Sequence, residues 1–166
     1  SAVSGLGDPL ALEPLFHDPK IRVAINSPDS QSGFRVLGEC LAEPCVYAHA
    51  RTAMTGSHCG SIRAVAEGKA DIAAIDAVTW QFALDHEPSA KSLVIVARSR
   101  PTPGLPLICA PGFSADAPMV IEALQSAIAA LPRSVRRTLH LRGIVSANAG
   151  DYSVLRQPPY GNLILA

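Results

Sequence analysis

Aromatic side chains make up only 5% of the 166 residues, and tryptophan occurs once. That scarcity removes the stacking platforms on which single-stranded nucleic acid binding depends. An excess of one charge is missing too, since fourteen basic residues meet fourteen acidic ones. A neutral chain exerts no long-range pull on nucleic acid or on an anionic membrane, so any charged ligand must be met locally. Long apolar runs are lacking; Leu93-Val94-Ile95-Val96-Ala97 is among the longest and falls far short of a membrane span. The opening Ser1-Ala2-Val3-Ser4-Gly5 has neither a basic n-region nor an apolar h-region, so no export signal is expected within this chain. The cysteines Cys40, Cys45, Cys59 and Cys109 form no CxxC pair, which argues against zinc and thioredoxin chemistry. Cys40 falls on an apolar helix face and reads as packing, while its spacing from Cys45 leaves a disulfide open in an oxidising compartment. GxGxxG and a phosphate loop ending in Lys-Ser/Thr are both absent, so no nucleotide cofactor is expected, and no metal.

What is present suits a buried core: 48% of the residues are hydrophobic and only 17% are charged. Residues 1–20 are rich in Gly and Pro without a sustained period and read as an irregular lead-in. From residue 21 a βα alternation sets in. Residues 21–25 form a β-branched apolar run, hence a buried strand, and 32–41 read as a helix with Val36, Leu37, Cys40 and Leu41 on one face. A weaker strand is expected at 45–50. A helix opens after Thr55-Gly56-Ser57-His58-Cys59-Gly60, with Ile62, Val65 and Ala66 as its apolar face and Gly68 as its stop. Residues 71–75 read as a short strand covered on both faces, Asp76 caps a helix over 77–86, and 93–97 read as a further strand. After the stiff connector 100–106 come a strand at 107–110 and a helix starting at Asp116 and Pro118. Its stripe is Ile121, Leu124, Ile128 and Leu131. Arg133, Arg136, Arg137 and His140 share one face of a last short helix, which reads as solvated rather than as a nucleic-acid surface. The fold class is therefore α/β, a parallel-rich mixed sheet flanked by helices.

Loops leaving the carboxyl ends of parallel strands share one edge of the sheet, and ligands collect there. Three such loops are readable, at 26–33, 55–60 and 75–76. The first two each bring hydroxyls and unpaired amide N–H groups to a helix start, an arrangement that holds oxyanions without a cationic side chain. Each residue also has a plainer role. Ser30 or Ser32, Ser57 and Asp76 are all good helix caps. His58 is the sharper case: the helix dipole disfavours its cation unless an anion sits beside it, though the neutral ring still donates one hydrogen bond. Asp76 fits beside a bound anion only when the ligand brings an amine or a protonated oxygen. An enzyme is not indicated. The stretch Gly56-Ser57-His58-Cys59-Gly60 is not a nucleophile elbow, because histidine occupies its centre, and a Cys59–His58 pair need not face one another.

Three stretches in this order and spacing, VAINSPDSQSG, TGSHCGSIRAVAEGKADIAAID and PTPGLPLI, resemble the periplasmic substrate-binding proteins of phosphate/phosphonate-type ABC transporters. The likeness runs from Ile21 to Leu131. It implies the type 2 periplasmic-binding-protein fold and a non-enzymatic solute-binding role, with an ABC transporter permease as partner. In that family the SxSG turn and the histidine loop hold the phosphorus oxyanion, and a carboxylate after the third stretch of strand meets the rest of the ligand. Carried over, the ligand-binding residues are Ser30, Gln31, Ser32, Gly33, Thr55, Ser57, His58 and Asp76. Gln31 departs from the hydroxyl residue usual in phosphonate binders, which leaves phosphate, phosphite and phosphonate open. Most of a first lobe usually precedes the strand at 21–25, whereas here only the lead-in does. The expected organisation is thus a complete lobe at 21–98 and, over 99–166, a connector with the returning part of an incomplete second lobe. Uncovered surfaces of that second part are expected to be closed by a homodimer. The resemblance implies a periplasmic location. The alternatives are a cytoplasmic ligand-sensing domain and an enzyme on the same fold.

Overall fold

The computed structural model describes residues 7–40 and 51–156 of the chain. Its centre is a three-stranded sheet of β1 (Arg22–Ile25), β2 (Arg51–Met54) and β3 (Ile72–Ala73), with β1 in the middle. Both pairings are parallel, Arg22 opposite Arg51 through Ile25 opposite Met54, and Val23 opposite Ile72. Val23, Ala24 and Ile25 have no solvent-exposed surface. A β-branched run buried on both faces is what a central parallel strand requires, and here the apolar run at 21–25 supplies it.

Each face has its own cover. On one side Val23 and Ile25 pack with Phe16 of α1 (Glu13–Phe16) and with Phe34, Leu37 and Cys40. On the other, α2 (His58–Ala66) lies against β1 and β3 and shares a cluster of Ile62, Ala83 and Ala90 with α3 (Ala77–His86) and the 3-10 turn Pro88–Ser92. The protein is thus α/β, a parallel sheet between helical layers, as the sequence indicates. Arg22 and Asp71 fix the register of β1 against β3. The Asp71 carboxylate accepts from the Arg22 backbone N–H at 2.8 Å and from its guanidinium, while the Asp71 N–H donates to the Arg22 carbonyl at 2.8 Å.

Four expectations change. The helix read at 32–41 is a 3-10 helix, Arg35–Cys40. The residues before it are consumed by a wide turn in which Arg35 and Val36 donate to the carbonyls of Ser30 and Gln31, and Gly38 weakens the α-helical alternative. The strand read at 71–75 pairs only over Ile72–Ala73. Residues 93–97 contribute a single bridge, Ala97 with Gly7, and Val94 and Val96 are exposed. Residues 107–110 form no strand, with Leu107 and Ile108 exposed. In both cases β-branched propensity is present without a neighbouring ladder, and propensity alone does not make a strand. The strand expected at 45–50 and Cys45 lie outside the described residues. Cys40 is a free, buried thiol whose pKa burial pushes up to about 11, with Glu39 adding to the rise.

The contacts divide the chain near residue 101, and the second unit spans Thr102–Val154. It contains α4 (Ala117–Ala130) and α5 (Arg133–Thr138), and Tyr152 Oη donates to the Gly104 carbonyl within it. The stripe Ile121, Leu124, Ile128 and Leu131 is the less exposed side of α4, yet no residue of that helix is buried.

Candidate functional site

Because all three strands run parallel, the loops after β1, β2 and β3 emerge at one edge of the sheet. The first two are stitched together at their roots. Thr55 N–H donates to the Ile25 carbonyl at 2.9 Å, and Gly56 N–H to the Asn26 carbonyl at 3.1 Å. The Thr55 hydroxyl lies within hydrogen-bond reach of the Ile25 carbonyl (3.0 Å), the Ser57 carbonyl (3.1 Å) and the Ser61 hydroxyl (2.6 Å). All of these contacts lie within the fold, so the place of Thr55 is structural. Ser61 is fully buried, a polar residue that the helical stripe of α2 gave no reason to single out.

In the first loop Ser30 Oγ accepts from Gly33 N–H at 2.9 Å, closing the turn. Gly33 is required by packing: a Cβ there would stand 2.0 Å from Asn26 Oδ1, which itself accepts from Ser27 N–H at 2.8 Å. Asn26 therefore shapes the loop, a role that its position at the end of an apolar run does not reveal. Gln31 turns its side-chain amide inward, and its Nε2 is a buried donor without a partner among the described residues.

In the second loop Gly56 sits at φ 77°, left-handed backbone in which a side chain would be strained. Ser57 then caps α2, its Oγ accepting from Gly60 N–H at 3.0 Å. Gly60 is needed as well, since a Cβ would lie 2.7 Å from the Thr55 carbonyl. His58, the first residue of α2, crosses to the other loop: its Nε2 is 3.1 Å from Ser32 Oγ. The third loop brings up Asp76, which caps α3. Its Oδ1 accepts from Thr79 N–H at 2.8 Å and from the Thr79 hydroxyl at 3.1 Å.

The first two loops meet at His58. Burial lowers its pKa, holding the ring neutral, while the Asp76 charge and the Ala74 carbonyl favour the protonated form without prevailing. Its Nδ1 is buried and makes no well-formed hydrogen bond among the described residues. Ser32 and His58 are thus joined across the first two loops and the Asp76 charge from the third acts on the same ring, with Gln31 beside Ser32 in sequence and Ser30 and Ser57 holding the backbone around them. None of the hydrogen bonds that join the first two loops involves Lys or Arg. A hollow of about 330 Å³ on the flank of α2 is lined by Thr55, Gly60, Arg63, Ala64, Glu67 and Lys69. Its cations are already paired, Arg63 with Glu87 at 2.7 Å and Lys69 with Glu67 at 2.6 Å. Among the described residues no cluster of His, Cys, Asp and Glu could hold a metal ion, and no helix is long and apolar enough to cross a membrane.

A loop edge with hydroxyls, amides and one neutral histidine suits a small oxyanion, and the family comparison agrees in kind. The family model described as "ABC transporter, phosphonate, periplasmic substrate-binding protein" matches residues 7–152. No curated protein matches the chain. The match takes in both units and all three loops, and the chain belongs to this family of phosphonate ABC-transporter periplasmic substrate-binding proteins.

Proposed function

We propose that the chain binds a small phosphorus oxyanion, phosphonate, phosphite or phosphate, at the loops 30–33 and 55–58, with Asp76 meeting the remainder of the ligand. The observation that carries this reading is the Ser32–His58 contact at 3.1 Å, which joins the two loops at the sheet edge where three parallel strands end. Ser30 and Ser57 accept backbone amides through their oxygens, which leaves each hydroxyl proton free to donate to a ligand. The buried Gln31 amide is a further donor in want of an acceptor. In the same reading residues 21–98 are the lobe that carries the anion, 99–166 belong to a second lobe, and lobe closure presents the loaded protein to a permease. The role is binding without turnover.

A thermal-shift panel tests it. Phosphate, phosphite, alkylphosphonates and aminoalkylphosphonates are compared with sulfate and amino acids. A ligand that binds only the native state at a hundred times its Kd stabilises by about 2.7 kcal/mol. At least one phosphorus oxyanion is expected to raise the melting temperature and amino acids are not; a panel with no response from any phosphorus oxyanion contradicts the proposal.

A further inference from the structure

The Ser32–His58 contact has a consequence for the ligand's charge. A serine hydroxyl has one proton. If neutral His58 accepts at Nε2, that proton points at the ring and is lost to the ligand. Only when Nε2 carries a proton does His58 donate to Ser32 Oγ, freeing the Ser32 hydroxyl to donate onward to an oxyanion. The other ring nitrogen, Nδ1, is buried without a well-formed hydrogen bond, and the groups that act on the ring are the Ala74 carbonyl and the Asp76 carboxylate. Both reward a proton on the ring. Opposing them are burial and the positive end of α2, at whose first position His58 stands. Asp76 is the one charged side chain that acts on His58 among the described residues.

An anion placed against Ser32 changes this balance. It cancels the dipole's objection and adds a negative charge near a ring that already feels the charge of Asp76. Of the eight residues assigned to the site, His58 alone is able to become a cation. We infer that His58 takes up a proton when a doubly charged phosphorus oxyanion binds, so that the imidazolium offsets the combined negative charge of ligand and Asp76 and donates through Ser32. The proton comes from solvent and rests on the ring, and no covalent bond is made or broken in the ligand. This inference rests on the oxyanion reading above and adds to it a selection by ligand charge. Linkage then requires that dianion affinity weaken as pH rises between the free and bound pKa values of His58, by about tenfold per pH unit.

The test uses methylphosphonate as probe and the full chain. Calorimetry near neutral pH, in buffers of different ionisation enthalpy, gives the protons taken up per ligand bound. Comparing wild type with His58→Gln removes any proton that comes to rest on the probe itself. The expected result is a greater uptake by wild type, the difference approaching one proton. Ring ¹⁵N shifts of His58 in the wild-type protein supply a reading that does not depend on the variant's folding or binding. They are expected to move from neutral to imidazolium values at saturation. A ring that stays neutral in the complex, or equal uptake by the two proteins, overturns this inference while leaving the binding reading intact. Failure of wild type to bind methylphosphonate or any other phosphorus oxyanion overturns both.

Discussion

Ser30, Ser57 and Asp76 each give one oxygen to a backbone amide, whereas the Ser32 hydroxyl lies against His58 Nε2. This difference separates the roles that sequence alone left merged. Serine and aspartate are favoured caps, so their presence at a helix start says little about a ligand. Capping and binding are also compatible, because a cap uses an acceptor oxygen and an oxyanion needs a donor. For Asp76 the two roles are separable by substitution. Asp76→Asn keeps a carbonyl oxygen for Thr79 and removes the charge. If the ligand carries an amine, the variant is expected to lose affinity for aminoalkylphosphonates selectively over alkylphosphonates. If the ligand is protonated phosphate, it is expected to lose preference for phosphate over sulfate. Competition binding with these four ligands measures it; an equal loss for all of them would make Asp76 a helix cap only.

Among the elements, those with a complete local signal were legible in the sequence. The run 21–25 is β-branched and apolar, and it is the central strand. The Ser57 cap and the Ile62 face define α2, and Asp76 opens α3 at the expected residue. What failed needs information from elsewhere in the fold. Residues 107–110 have strand propensity but no paired neighbour, and the turn at 30–36 depends on Asn26 filling the space over Gly33. In the site, the Ser32–His58 contact spans 26 residues and arises from parallel pairing, which no local pattern encodes. The Arg22–Asp71 pair shows how that pairing is held and carries a pH signature. The hydrogen bonds from Arg22 lower the Asp71 pKa below its ordinary 3.8. A depressed carboxylate stabilises the fold above its unfolded pKa, and that contribution is lost as pH falls through the folded value. The pair is exposed, so the effect is small. Chemical unfolding of wild type and Asp71→Asn is expected to show a modest wild-type advantage near neutrality that vanishes as pH falls below 3.8. A gap unchanged across that range would mean the charge contributes nothing.

At the level of the whole molecule, the first unit closes two buried clusters, one built on β1 and one between α2 and α3, while the second buries no residue of α4 or α5. Leu105, Leu107, Ile108, Phe113 and Met119 are all more than 60% exposed. Apolar surface on this scale is an association liability. Self-association is therefore proposed for the chain, as a two-fold dimer, the commonest closed arrangement. Sedimentation at micromolar concentration is expected to show a dimer. A monomer with one cooperative unfolding transition would contradict that.

The loops after β1 and β2 are proposed to hold a phosphorus oxyanion together. Titration calorimetry with wild type and the Ser32→Ala/Ser57→Ala double variant tests it most directly, using the phosphorus oxyanion that gives the largest thermal shift. Loss of the Ser57 cap is expected to cost about 1 kcal/mol of stability, so folding of the variant is checked by its unfolding transition. Each charge-assisted hydrogen bond removed is expected to weaken binding by roughly 1–3 kcal/mol, about 5- to 150-fold per bond. Saturable wild-type binding is expected, falling accordingly in the double variant. Unchanged affinity in a stably folded double variant would contradict it.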